Sequence, residues 1–186
     1  MHFTTIASAL LTGASLTAAL PAADSTLNPR ACSIAYPTTL MQLIQDEPTH
    51  NTGNHAYVYT SQAANKEHQW ATEVQFTGIP AGAYGCQLEL FFPAGYRGLE
   101  GGARLDFFSL DRDVSVADTW ASAPGKVSLV GTQLPALAAQ GDTRLVVANG
   151  VCSPTMNYRV EVEGQDAGFI GFFQTETAGL RLTYNC

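Results

Sequence analysis

Apolar and polar residues alternate with a period of two along much of the chain after residue 55. This pattern is typical of β-strands, because successive side chains of a strand point to opposite faces of the sheet. Three runs show it, and their apolar positions are Trp70, Val74 and Phe76, then Cys86, Leu88, Leu90 and Phe92, then Tyr158, Val160 and Val162. Polar residues between them, such as Glu73, Glu89 and Glu161, predict antiparallel sheets with one solvated face.

Nine strand-like runs follow one another, separated by connections rich in Gly, Pro, Asp and Asn. They cover residues 55–60, 68–79, 86–92, 104–110, 126–134, 143–150, 157–164, 168–175 and 180–186. Short strands at near-regular spacing with no long helix predict an all-β fold. We expect a single antiparallel β-sandwich, Greek-key or jelly-roll-like, over residues 32–186. The segment 33–48 fits a helical turn and an extended strand equally well.

Three predicted strands carry a pair of adjacent phenylalanines that breaks the alternation. The pairs are Phe91-Phe92, Phe107-Phe108 and Phe172-Phe173. One ring of each pair must point away from the main core, since neighbouring strand residues face opposite sides. The simpler interpretation is that a loop or the segment 33–50 covers these rings. The alternative is an exposed aromatic strip that binds a sugar or another chain, with Phe91, Phe108 and Phe172 as candidate ligand-binding residues.

The N-terminal sequence predicts a secretory signal peptide over residues 1–23. It has no charged side chain before Asp24, an apolar run from Phe3 to Leu20, and small residues near the expected cleavage points at Ala19 or Ala23. A membrane-spanning helix is the less favoured alternative, because the run is short and rich in Thr. We therefore expect a secreted, extracellular protein, with residues 24–31 as a short polar leader.

The four cysteines agree with that compartment. An even number in a secreted chain predicts two disulfides, with three possible connectivities, and no Cys/His spacing indicates zinc. We favour Cys32–Cys186, which would join the two ends of the domain, and Cys86–Cys152, which would link two interior strands.

The charge balance limits the choice of partners. The chain has 9 Lys and Arg against 16 Asp and Glu, a net charge of −7, and no basic cluster. An acidic surface repels phosphate backbones and anionic headgroups, so neither nucleic acid nor a membrane surface is an expected partner.

Candidate catalytic and metal-binding residues are few. Asp111, Asp113 and Asp118 have a spacing that suits calcium, although the glycine and terminal Glu of an EF-hand loop are missing. Two strand carboxylates could form a glycosidase pair if they met across a cleft; the candidates are Glu73, Glu89, Glu161 and Glu163. A solvated sheet face is the simpler explanation for them. Neither HExxH nor GxSxG occurs, so we predict no catalytic residue and no cofactor.

Several blocks together resemble one known family. They are "FTGIPAGAYGCQLELFFPAGY", "DTWASAP", "CSPTMNYRVEV", "GFIGFFQT" and the terminal "AGLRLTYNC". In this order they resemble the fungal ubiquitin-three-binding-protein But-two, C-terminal domain family, from about Trp70 to Cys186. The resemblance implies a β-rich extracellular domain of fungal origin with no catalytic residues to transfer. Its recurrent framework positions correspond to Cys86, Cys152 and the closing Tyr184-Asn185-Cys186.

Three functional hypotheses follow. The first is a secreted, non-catalytic binding or structural module whose partner is cell-wall polysaccharide or another extracellular protein. The second is a glycan-active hydrolase that uses paired carboxylates. The third is an adaptor of a ubiquitin-like pathway, as the family name implies, which the signal peptide disfavours.

Overall fold

The alternating pattern corresponds to twelve β-strands in the computed structural model, which describes residues 31–186. The predicted signal peptide and all but the last residue of the leader lie outside the described residues. Within residues 31–186, no helix is long and apolar enough to cross a membrane. One short 3-10 helix spans Ala64–Lys66. The strands are β1 Ser33–Ala35, β2 Thr39–Ile44, β3 Tyr57–Gln62, β4 Trp70–Thr77, β5 Cys86–Phe92, β6 Glu100–Gly101, β7 Leu105–Leu110, β8 Lys126–Gln133, β9 Thr143–Gly150, β10 Thr155–Val162, β11 Gly168–Phe173 and β12 Gly179–Tyr184.

The strands form two antiparallel sheets. The smaller sheet has the order β1-β12-β5-β9, and the larger has the order β6-β11-β3-β4-β10-β7-β8, with β2 also paired to β4. The predicted all-β, two-sheet class is confirmed, and each of the nine predicted runs overlaps a strand. Three further strands are β1, β2 and β6. The ambiguous segment 33–48 is extended, because β2 pairs with β4 from Thr39 to Ile44.

Inward-facing side chains of both sheets form one hydrophobic core. Its largest rings are fully buried, and they are Phe76, Phe92, Phe107 and Phe172. Leu88, Leu90 and Leu182 of the smaller sheet contribute to the same core as Val74 and Val160 of the larger sheet. Burial of this kind is the main favourable term in folding, at about 25 cal/mol per Å² of apolar surface.

The prediction that the outer face of each sheet is solvated was wrong around three glutamates, two in the larger sheet and one in the smaller. Glu73 and Glu89 are completely buried, and Glu161 is only 3% exposed. On the larger sheet the connection 111–125 lies over β4 and β10: the Gln75 amide donates to the Val114 carbonyl at 3.3 Å, and Trp120 packs on the Arg159 guanidinium at 4.7 Å. The polar residues on the outer face of β4 and β10 are therefore covered by this connection rather than solvated.

Two disulfides join the described chain in the favoured pairing. Cys32 bonds Cys186, next to the antiparallel pairing of β1 with β12, and Cys86 at the start of β5 bonds Cys152. No free cysteine remains among residues 31–186. Because the first bridge spans 154 residues, it could stabilise the fold by about 5 kcal/mol in the chain-entropy account.

Candidate functional site

The three phenylalanines predicted to bind ligand do not form a common strip. Phe91 belongs to the smaller sheet and Phe108 to the larger. Each ring is covered by a cation, since the Arg181 guanidinium lies 3.9 Å from the Phe91 centroid and the Lys126 ammonium lies 4.4 Å from that of Phe108. These two side chains are therefore only partly accessible.

Phe172 was the wrong choice within its pair. Its ring is fully buried and packs edge-on against Phe92, with the centroids 5.3 Å apart. The inward positions of β11 are Ile170 and Phe172, so its outward positions are 169, 171 and 173. The exposed member of the pair is Phe173, of which 57% is accessible.

A connected group of aromatic rings lies on the outer face of β3 and β11. Val58 faces the core, so Tyr57 and Tyr59 point outward beside Phe169 and Phe173. Ring centroids are 4.9 Å apart for Tyr57 and Phe173, 6.5 Å for Tyr57 and Tyr59, 6.5 Å for Tyr59 and Phe169, and 5.5 Å for Tyr59 and Trp70. We call this set of five, which includes Trp70 at the start of β4, the aromatic face.

One glycine allows the rings to lie this close to the strand. A Cβ atom at Gly171 would collide with the Tyr57 hydroxyl group, so the absence of a side chain leaves room for the Tyr57 ring. The ring reaches across β11 to β6, where its hydroxyl donates to Glu100 Oε2 at 3.3 Å. Burial and then the Glu100 charge raise the pKa of Tyr57 above its ordinary value, so the phenol stays neutral.

Polar groups border the aromatic face. The Tyr96 hydroxyl accepts a hydrogen bond from the Phe173 backbone N–H at 3.1 Å. At the other end, Phe169 forms part of a cleft of about 420 Å³ that also contains Arg104, Glu163 and Asp166. Arg104 Nε and Glu163 Oε2 are 2.9 Å apart, and both side chains are substantially exposed. The site therefore combines flat apolar surfaces with adjacent hydrogen-bonding groups.

Sequence reasoning missed this site although the signal was present. In β3, Tyr57 and Tyr59 alternate with Val58 and so face the opposite side of the sheet. In β11, Phe169, Gly171 and Phe173 alternate with Ile170 in the same way. What was lacking was the pairing of β3 with β11, which places Phe173 opposite Tyr57 and Gly171 opposite Tyr59.

The three aspartates predicted to bind calcium each contact a different protein donor. Asp111 accepts from the Gly125 N–H at 2.9 Å, Asp113 accepts from the Asn157 amide at 2.8 Å, and Asp118 forms a two-bond pair with Arg112. Among residues 31–186, no group of three acidic, His or Cys side chains is arranged to hold a metal ion. The calcium prediction is therefore not supported; these side chains brace the connection 111–125.

Three of the four carboxylates considered for hydrolysis are inaccessible. Glu73 and Glu161 lie in the larger sheet and Glu89 in the smaller, and none exceeds 3% exposure. A substrate sugar cannot reach such groups. Glu163 is accessible, but it is paired with Arg104.

Glu89 is completely buried, whereas its two counter-ions keep contact with solvent, Arg181 at 15% and Arg144 at 50% side-chain exposure. Arg144 Nη2 lies 2.6 Å from Glu89 Oε1, and Arg181 Nη2 lies 3.1 Å from Oε2. The Thr183 hydroxyl also donates to Oε1. Desolvation raises the pKa of Glu89, but hydrogen bonds from Arg144, Thr183 and Arg181 outweigh it and hold the pKa below its ordinary value.

Glu73 is buried without a hydrogen bond to either oxygen. It stands opposite Arg159 in the pairing of β4 with β10, while the Arg159 Nε atom lies 2.9 Å from Glu161 Oε1. Desolvation is the dominant effect and raises the pKa of Glu73 to about 7, with Arg159 partly offsetting it.

The family model described as the ubiquitin 3 binding protein But2 C-terminal domain matches residues 35–177. The chain belongs to this But2 family. The matched range of the But2 domain contains β2 to β11, and with them the whole aromatic face. A search of curated proteins found no match to this chain.

Proposed function

We propose that this protein is a secreted, non-catalytic module that binds a neutral cell-wall polysaccharide through the aromatic face. The observation that carries the proposal is the set of five connected rings on the outer face of β3 and β11. Phe169 and Phe173 are 44% and 57% exposed there. Contiguous exposed aromatic surface with a polar border is typical of interaction sites.

The surroundings of the rings favour a neutral sugar. Aromatic rings pack against the C–H faces of pyranose rings, while carboxylate and guanidinium groups bond their hydroxyls. Glu100, Arg104, Glu163 and Asp166 supply such groups at the border of the face. The net charge of −7 disfavours an acidic polymer.

Two further features support a non-catalytic, extracellular role. Glu73, Glu89 and Glu161 are too buried to act on a substrate. The two disulfides fit an oxidising compartment, whereas the ubiquitin-related partner in the family description belongs to pathways inside the cell.

Sedimentation with insoluble polysaccharides tests the proposal. The mature, disulfide-bonded protein is mixed with chitin, β-1,3-glucan or cellulose, and the bound fraction is measured. We expect saturable binding to at least one of them, and at least a ten-fold loss of affinity in the double variant Phe169→Ala and Phe173→Ala. The matched control Leu129→Ala removes a 54% exposed side chain from β8 and should bind normally. Equal binding by the double variant, or no binding to any polymer, would overturn the proposal.

A further inference from the structure

The two sheets meet at a seam between their edge strands, β8 of the larger sheet and β9 of the smaller. A Cβ atom at Gly131 would collide with the Val147 carbonyl, so the two backbones approach closely there. The Gln133 amide also donates to the Val146 carbonyl at 2.5 Å. The seam is therefore closed at this end.

Both edge strands carry an irregularity at this contact. In the pairing of β7 with β8, Phe107 faces Gly131 and Phe108 faces Leu129, so Val130 is an extra residue. In the pairing of β5 with β9, Val147 is the extra residue between Val146 and Ala148. Bulges bend a strand and increase its twist, so both edge strands change direction at this level.

A cavity of about 190 Å³ lies where the seam opens. Most of its surface is apolar and is contributed by Cys86, Val130, Ala148, Met156 and Tyr158. Ser109, Asn149 and Gly150 complete its wall. The cavity thus extends from the edge of the sandwich to side chains of the hydrophobic core, including the Cys86–Cys152 disulfide.

Tyr158 brings a polar group without a partner into this apolar wall. Only 6% of the residue is exposed, and within residues 31–186 no hydrogen bond acts on its hydroxyl. Burial raises the pKa of Tyr158 to about 12, so the hydroxyl remains a neutral donor. The hydroxyl oxygen itself is not fully enclosed, so it is open to a molecule that enters the cavity.

We propose that the seam cavity binds a small, mainly apolar molecule whose single oxygen atom accepts a hydrogen bond from Tyr158. The volume fits about seven to ten non-hydrogen atoms, since a cavity of about 150 Å³ holds benzene. A phenol or a short alkyl alcohol has the required size and chemistry. This cavity is separate from the aromatic face, so the test of this proposal does not depend on polysaccharide binding.

Titration of the disulfide-bonded protein with phenol and with toluene, followed by amide NMR shifts, tests the proposal. Both probes should give saturable shifts centred on Val130, Ala148 and Met156. Tyr158→Phe should weaken phenol binding roughly three- to ten-fold and leave toluene binding unchanged, because one hydrogen bond is lost. Ala148→Leu should abolish binding of both probes by filling the cavity.

Val146→Leu is the matched control, since it adds one methylene group to the exposed side of the same strand. If Ala148→Leu does not fold, Val130→Phe fills the cavity from the opposite strand. Absence of saturable shifts at the lining residues, or undiminished binding when the cavity is filled, would overturn the proposal. Equal weakening of phenol and toluene by Tyr158→Phe would refute the role of the hydroxyl.

Discussion

Replacing Glu73 by glutamine should stabilise the protein at neutral pH and change little in acid. Both Glu73 oxygens are buried without a hydrogen bond, and the Arg159 charge does not fully offset the cost of desolvation. Glutamine has almost the same shape as the protonated side chain but never has to lose a proton. The variant therefore removes only the cost of the buried charge.

The magnitude follows from the two pKa values of Glu73. Its pKa rises from 4.5, the ordinary value, to about 7 in the folded protein. The folded state then holds a proton that the unfolded state releases, so stability falls as the pH rises from about 4.5 to about 7 and is constant above. The loss amounts to about 3 kcal/mol at pH 8.

Urea unfolding between pH 4 and pH 8 measures this effect. Glu73→Gln should match the native protein at pH 4 and exceed its free energy of unfolding by about 3 kcal/mol at pH 8. The control is Glu163→Gln, which removes an exposed ion pair with Arg104 and should change stability by less than about 1 kcal/mol. A destabilised Glu73→Gln at pH 8, or a difference that does not vary with pH, would refute the reasoning.

Three other substitutions have distinct expected outcomes. Glu89→Gln should cost about 2–4 kcal/mol by unfolding assay, because it removes the charge-assisted hydrogen bonds that Arg144, Arg181 and Thr183 make to a completely buried carboxylate; native stability should likewise fall in acid as the lowered pKa of Glu89 is passed. Gly171→Ala should displace the Tyr57 ring and weaken polysaccharide sedimentation while costing less than about 1 kcal/mol, since only the end of a side chain must move. Gly131→Ala should lower stability by more than about 2 kcal/mol in thermal unfolding, because its Cβ meets the Val147 backbone, and a neutral result would contradict the tight seam.

The strands were predictable because local alternation encodes them. The runs around Val74, Leu88 and Val160 show a period of two, and these residues are in the core. Long-range pairing is not encoded in this way. The connection 111–125 lies over β4 because of contacts such as Gln75 to Val114, so the burial of Glu73 could not be read from its own neighbours.

The aromatic site depended on the same missing information. The alternation of side chains along a strand places one ring of each phenylalanine pair in the core, but it does not say which one. In β11 the choice is decided by Gly171, which faces outward under the Tyr57 ring and so places Phe172 inside. That contact joins residues far apart in sequence, and only the pairing of β3 with β11 brings it about.

The central claim is that the aromatic face binds polysaccharide, and the fluorescence of Trp70 tests it most directly. The chain has two tryptophans, and Trp120, which belongs to the connection 111–125, packs on Arg159 rather than on this face. In the Trp120→Phe variant, Trp70 is the sole reporter, and titration with soluble chitin, β-1,3-glucan and cellulose oligosaccharides should give a saturable change in its emission with at least one of them. The matched Trp70→Phe variant should show no change in the emission of Trp120. An unchanged Trp70 signal with every oligosaccharide would contradict the account.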